Sequence, residues 1–244
     1  MKILITNDDG IEALGIRLLA EWAKKLGEVT VVAPKTEQSA KSHAIELHKA
    51  FEIKEVPFMD GVKAYSLDST PADCVRYGIL GLKEKFDLVL SGMNRGINVG
   101  VDVVYSGTLG ATFEAARLGV KAIGFSAFPE GQVSAAKYFD EIYAYIEENK
   151  LLEENQIYNV NIPTEARGIR MTYEGSQYFS DEFVKTDEGE NMYRQMGEPI
   201  PDECPEDLDR DTVAVHAGYI AITPLLVQRT NMEVYRKHRH MNEE

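Results

Sequence analysis

Four short and nearly uninterrupted apolar runs punctuate the first half of the chain: KILIT at 2–6, VTVVA at 29–33, DLVLS at 87–91 and KAIGFSA at 121–127. A strand with one wet face alternates apolar and polar residues, so runs of this kind read as strands buried on both faces. The segments between them have helical spacing. Leu14, Leu18, Leu19, Trp22 and Leu26 share one broad face, a helix opens at SGTLGATFEAARLG and ends at Gly119, and another spans about 134–149. Thr70 and Pro71 suit the N-cap and first position of a helix over ADCVRYGILGL, with Asp73 completing a capping box. Such alternation dictates an α/β fold in which a mainly parallel sheet carries helices on both faces.

The rhythm stops near residue 156. Strand-like pieces lie at 45–56 and 62–67 within the first part, and at 157–162, 169–173, 212–216 and 219–223 beyond it. Residues 1–120 are nearly balanced, with 16 acids and 14 bases, whereas 181–210 hold 11 acids, 3 bases and three prolines. That window reads as an exposed hairpin arm. The tail MEVYRKHRH is a short helix whose only apolar anchors, Met232, Val234 and Tyr235, call for packing on something else, and a second subunit is one solution. Residues 1–156 are therefore expected to form a catalytic core. Residues 157–244 are expected to form a smaller β-rich oligomerisation region, some of whose strands join the core.

The charge balance of 26 Lys and Arg against 40 Asp and Glu, a net charge of -14, argues against nonspecific binding to nucleic acid polymers or anionic membranes. No apolar run approaches the roughly 20 residues that span a bilayer, and Met1-Lys2 leads straight into the first strand without a signal-peptide pattern. A soluble, cytoplasmic protein is the expectation. Cys74 and Cys204 have neither a metal-ligand spacing nor a disulfide framework, and Cys74 falls in the apolar stripe of its helix.

Chemistry concentrates where strands end. ITNDDG puts Asp8 and Asp9 directly after the first strand, the edge at which open α/β sheets bind ligands. Adjacent carboxylates repel one another and are hard to desolvate, which a divalent cation relieves; Asx-turn and N-cap chemistry is the alternative use. SGMNRGINVGVDVVYSGTLGAT follows the third strand. Its glycines allow close backbone approach, Asn94 offers a neutral oxygen to a hard cation, and Asn98 offers either a donor or an acceptor. Ser106, Gly107 and Thr108 stand at a helix mouth, where free N–H groups suit a phosphate. APKTEQSAKSHAIELH leaves the second strand and brings Ser39 as an oxygen donor, Lys35 and Lys41 as cations, and His43 as a proton carrier or a packing residue. Arg95 is either a phosphate clamp or a salt-bridged loop anchor. The chain lacks GxGxxG at its first helix, GxxxxGK[ST], HExxH and GxSxG, so the usual cradles for dinucleotides and P-loop nucleotides, the zincin site and the hydrolase elbow are absent.

Taken in order, ITNDDG, APKTEQSA, STPADCV, SGMNRGINVGVDVVYSGTLGAT, YNVNIP and GYIAITPL closely resemble the SurE family of stationary-phase survival proteins. The resemblance implies a divalent-metal-dependent phosphatase acting on nucleoside 5'- and 3'-monophosphates, with short polyphosphate a further substrate of some members. It implies a Rossmann-like three-layer core and a smaller β-rich C-terminal part. In that part an extended hairpin and a terminal helix join subunits into a homodimer or homotetramer. By position, the family's metal ligands fall on Asp8, Asp9, Ser39 and Asn94, and its phosphate contacts on Asn98 and Ser106 through Thr108. The chain departs where many members carry an arginine before the ligand serine, reading Thr36-Glu37-Gln38-Ser39.

The all-oxygen ligand set suits one Mg²⁺ or Mn²⁺ per subunit. Asp8 is then the residue expected to orient or deprotonate an attacking water held by the cation, with direct attack by Asp8 as the alternative. A receiver-like domain phosphorylated once on aspartate is the rival reading, and a phosphatase acting mainly on short polyphosphate or other small phosphomonoesters is a variant of the first.

Overall fold

The computed structural model describes residues 1–242. Its first half runs β1 (Lys2–Thr6), α1 (Leu14–Ala23), β2 (Glu28–Pro34), β3 (Ile53–Glu55), β4 (Lys63–Leu67), α2 (Pro71–Arg76), β5 (Leu88–Arg95), α3 (Gly107–Arg117) and β6 (Lys121–Ala127). There follow α4 (Gln132–Ala135), α5 (Phe139–Glu148), α6 (Leu151–Glu154), β7 (Ile157–Ile162), β8 (Ile169–Met171), β9 (Glu182–Lys185), β10 (Tyr193–Met196), α7 (Asp211–His216), β11 (Ile220–Leu225) and α8 (Met232–His238). Nine strands form one sheet in the order β3-β4-β2-β1-β5-β6-β7-β11-β8. From β4 to β7 all neighbours are parallel, whereas β3 and β11 run antiparallel to their neighbours β4 and β7.

The continuous apolar runs are explained by two-sided burial. Ile3 and Ile5 of β1 join a cluster with Ile16, Leu19 and Trp22 of α1 and Phe139 and Ile142 of α5. Leu4, pointing the other way, packs with Cys74 and Val75 of α2 and Ala111 and Ala115 of α3. Each large side chain so buried contributes roughly 1.5–3 kcal/mol. Both helical layers are thus fixed by a single strand, and a polar residue at any position from Ile3 to Ile5 would face a dry layer.

This topology sets the site. The chain leaves β1 to build β2 and β4 on one side, then crosses to build β5, β6 and β7 on the other. The crevice lies at the reversal, beyond the C-terminal ends of β1 and β5.

Several local expectations are corrected. Residues 212–216 form the helix α7, not a strand: Ala214 and Val215 are buried and the Asp211 carboxylate binds the Thr212 N–H, so packing overrides the β-branched composition. In α1, Leu14 is 50% exposed, and the buried face is carried instead by Gly15, Ile16, Leu19, Ala20, Trp22 and Ala23. Gly15 explains the rotation, because a Cβ there would come within 1.9 Å of Met93 O. The stretch 45–56 yields only the edge strand β3, and the helix over 134–149 is broken into α4, a 3₁₀ turn and α5. At α2, Asp73 N donates to Thr70 Oγ1 at 3.1 Å as a cap requires, but the Asp73 carboxylate takes bonds from Ser69 Oγ at 2.6 Å and Glu46 N at 2.8 Å. Half of the capping box has become a loop anchor.

The strands β7, β11 and β8 extend the main sheet past residue 157, while β9 and β10 pair antiparallel as a separate exposed arm over the acidic window. Among the described residues, no helix is long and apolar enough to cross a membrane.

Candidate active site

Asp8 and Asp9 follow β1 in a turn held by Asn7 Nδ2, which donates to Gly10 O at 2.9 Å. Asp8 O accepts from Gln38 N at 2.7 Å, so the turn also carries the loop that bears Ser39. The Asp9 carboxylate accepts from Arg95 N at 2.9 Å, tying it to the end of β5. Thr108 Oγ1 donates to Asp8 Oδ1 at 2.5 Å. Three further stretches of sequence, bearing Gln38, Arg95 and Thr108, therefore converge on the Asp8-Asp9 turn.

Their electrostatics are unbalanced. Burial pushes the Asp8 carboxyl up to about 6; hydrogen bonds from the Thr108 side chain and backbone oppose the rise, and the Asp9 charge adds to it. Asp9 is also raised, first by burial and then by Glu37, against the pull of the Arg95 N–H and guanidinium. Neither carboxylate forms a salt bridge among the described residues. Two carboxylates burdened in this way, facing a cleft, fit a divalent cation. Among the described residues no group of three or more His, Cys, Asp or Glu is placed to hold a metal, so a cation here would need neutral oxygens for the rest of its set. Asn94 fits that role: its Nδ2 donates to Gly96 O at 2.8 Å, which leaves Oδ1 as the atom on offer. Ser39 fits it too, because its hydroxyl donates to Glu37 Oε1 and keeps its lone pairs free.

Asp8, Asp9, Ser39, Asn94, Arg95, Asn98 and Ser106 all line one cleft of about 930 Å³. The residues foreseen for the phosphate side are engaged with the protein itself in different ways. Thr108 is fully buried and spends its hydroxyl on Asp8. Gly107 packs on Asp8, with room for a Cβ only 2.9 Å from the Asp8 Cβ. Ser106 is the N-cap of α3, its Oγ accepting from Leu109 N at 3.2 Å. Asn98 is held from three sides: its N–H donates to Asn161 Oδ1, its amide to Ser126 Oγ, and its carbonyl accepts from Asn159 and Asn161, all at 2.8 Å. His43 is off the cleft, its Nε2 at 2.7 Å from Glu114 Oε2 on a separate cavity with Phe113 and Arg229. That contact ties the loop bearing Ser39 and His43 to α3.

The cleft also holds residues to which the sequence assigned no role. Tyr105 ends the 3₁₀ turn Gly100–Tyr105, and Tyr178, Phe179, Asp181 and Met196 come from the arm and its root. Asp102 Oδ2 accepts from both Tyr178 N and Phe179 N at 2.9 Å. Asp211, fully buried, accepts from Gly100 N at 3.0 Å and Gly175 N at 2.8 Å, locking the same turn to the same root. Only the pairing of Tyr178-Phe179 with a distant loop aspartate would betray these contacts, and nothing in the linear order links them.

A family model described as Survival protein SurE matches residues 3–181. The chain belongs to the SurE family. The chain is 42% identical over 233 residues, 92% of each partner, to a relative named 5'-nucleotidase SurE from Thermoanaerobacter sp. (strain X514). It is 39% identical to one of the same name from Caldanaerobacter subterraneus subsp. tengcongensis, over 97% of this chain and 95% of the relative. The crystal structure of the SurE protein from Aquifex aeolicus superposes with a TM-score of 0.81 at 32% identity, covering 99% of this chain and all of that one. The SurE fold thus accounts for the mainly parallel sheet, the helices on both faces and the additional antiparallel strands.

Proposed function

We propose that the chain is a phosphomonoester hydrolase that releases phosphate from nucleoside 5'- and 3'-monophosphates, a 5'-nucleotidase. The observation that carries this reading is the convergence of Asp8, Asp9 and Asn94 at the strand-order reversal, beside the N-terminus of α3. Relatives of similar length that bear the 5'-nucleotidase name support it.

Asp8, Asp9, Asn94 and Ser39 would hold one Mg²⁺ or Mn²⁺. Bound there, a divalent ion neutralises phosphate charge and lowers the pKa of water. Thr108 holds the Asp8 carboxylate by Oδ1, leaving Oδ2 to orient or take a proton from the attacking water. Arg95 is the one cation among the cleft's described lining residues, set against the carboxylates of Asp8, Asp9, Glu37, Asp102 and Asp181, and serves the phosphate. Ser106 and the first turn of α3 supply dipole and donors to the same group.

The reading includes a homodimer or homotetramer, with residues 1–156 as the catalytic core and those from 157 onward supplying both sheet strands and assembly surfaces. A reducing, cytoplasmic setting is supported by the two free cysteines, Cys74 and Cys204.

The test is phosphate release from AMP, 3'-AMP and short polyphosphate with Mg²⁺, Mn²⁺ or EDTA. Many turnovers on the nucleotides, abolished by EDTA, are expected. One equivalent of phosphate retained on the protein would favour an aspartyl-phosphate switch instead.

A further inference from the structure

The proposed phosphate end occupies one part of the cleft, and a volume of about 930 Å³ leaves space for a much larger substrate. The remainder carries aromatic surface. Phe179 is 41% exposed and Tyr105 57% exposed, although both line a concavity. Tyr105 directly precedes Ser106, so aromatic surface begins one residue from the phosphate end.

Phe179 is held more firmly than an exposed residue at the root of an arm needs to be. Its N–H is fixed by Asp102 Oδ2 at 2.9 Å, and its ring packs edge-to-face on Tyr178 at 4.7 Å between centroids. Tyr178 is in turn stacked on His216 at 5.5 Å, and its OH lies 3.1 Å from His216 Nε2. Phe128 closes the group against His216 at 5.3 Å. An aromatic ring kept half bare by a rigid support is a stacking platform, which suits a flat π system of any sequence identity.

We infer that Phe179 is a specificity-determining residue whose ring stacks the nucleobase of the substrate, so that the enzyme selects nucleotides over phosphomonoesters that lack a base. The inference rests on the phosphatase reading for its substrate, and on Asp102 and the Tyr178–His216 stack for its geometry. Tolerance of base identity follows, because stacking on a ring face does not read the hydrogen-bonding edge of a base.

The test compares kcat/KM for AMP and ribose 5-phosphate in the full chain, Phe179→Ala and Phe179→Tyr, at saturating Mn²⁺, with thermal melts to establish folding. Adenosine, which has the base and no phosphate, is titrated against the same three proteins by calorimetry. In Phe179→Ala the AMP to ribose 5-phosphate ratio falls about tenfold and the adenosine Kd rises about tenfold, whereas Phe179→Tyr keeps both near wild type. An unchanged ratio with unchanged adenosine affinity, or a tyrosine variant as impaired as the alanine one, overturns the platform. Absence of phosphate release from either substrate overturns the phosphatase reading instead, and the adenosine titration still decides the platform.

Discussion

Thr108 donates to Asp8 Oδ1 at 2.5 Å, and the neighbouring Gly107 stands so near that a Cβ on it would meet Asp8 Cβ at 2.9 Å and Oδ2 at 3.0 Å. The first turn of α3 is therefore a buttress for the central carboxylate of the site. It owes that role to a residue with no side chain followed by one with a short hydroxyl.

Gly107→Ala consequently separates activity from stability. Alanine is normally the better helix residue by about 1 kcal/mol, so the fold should tolerate it. The added methyl must push Asp8, and misplacements of this kind cost up to about 100-fold in rate. AMP hydrolysis is expected to fall at least tenfold with little change in melting temperature. A wild-type rate would show that Asp8 needs no such placement.

Asn94→Ala removes one neutral oxygen from the cation set and leaves the carboxylates in place. Even residues outside the coordination sphere lower metal affinity about 10-fold or more when lost, so at least that loss is expected here. Mn²⁺ titration followed by the resonance of the free ion measures it directly. Equal affinity in the two proteins would leave Asn94 as a loop former that bonds Gly96 O.

The acid side of the stability profile should carry the signature of Glu114. Its side chain is 3% exposed and meets His43, Arg76 and Arg117 at 2.7 to 2.8 Å. Burial raises the carboxyl, but hydrogen bonds from His43, Arg117 and Arg76 outweigh it and hold the group at about 2, below its usual 4.5. A depressed carboxyl stabilises the fold fully above the unfolded pKa, and that gain disappears as pH falls from 4.5 through 2. It is on the order of 3 kcal/mol. Urea unfolding of wild type and Glu114→Gln should differ by roughly this amount at pH 7 and converge toward pH 2. Parallel profiles would remove Glu114 from the account.

Much of this is legible in the sequence, and the reason is local. Ile3, Leu4 and Ile5 announce two-sided burial by being apolar without alternation, and Asp8-Asp9 can only follow β1. Residues whose role depends on a distant partner were not legible. The sequence leaves His43 open between proton carrier and packing residue, because Glu114, 71 positions away, is invisible to it there. Thr108 reads in sequence as a phosphate-side residue, and its hydroxyl bond to Asp8, which spans 100 positions, does not show there. In α7, the β-branched residues Thr212, Val213 and Val215 signalled a strand, and the Asp211 bonds and core packing decided for a helix. Phe179 lies just before the acidic window at 181–210 that reads as a solvated arm, and its N–H bond to Asp102, 77 positions away, helps hold it at the cleft.

Assembly is the remaining expectation. Both strands of the β9–β10 arm are exposed throughout, and an isolated two-stranded hairpin is marginal in water. Its apolar residues are nevertheless large: Phe183 is 70% exposed, and Met192 and Tyr193 are also bare. The helix α8 has no buried residue of its own, although Asn231 caps it through Val234 N at 3.0 Å. Ordered backbone costs roughly 1–2 kcal/mol per residue, a cost that surfaces of this kind recover by packing against a copy of the chain. Repulsion between acidic arms opposes the contact, and Arg194, already paired with Glu188 at 2.6 Å, relieves part of it. Sedimentation of the intact chain at micromolar concentration is expected to show a dimer or larger, and a variant ending at Thr230 to shift toward smaller species. A monomeric intact chain would reject the assembly, and an unchanged oligomer after truncation would move the contacts from α8 to the arm or the sheet core.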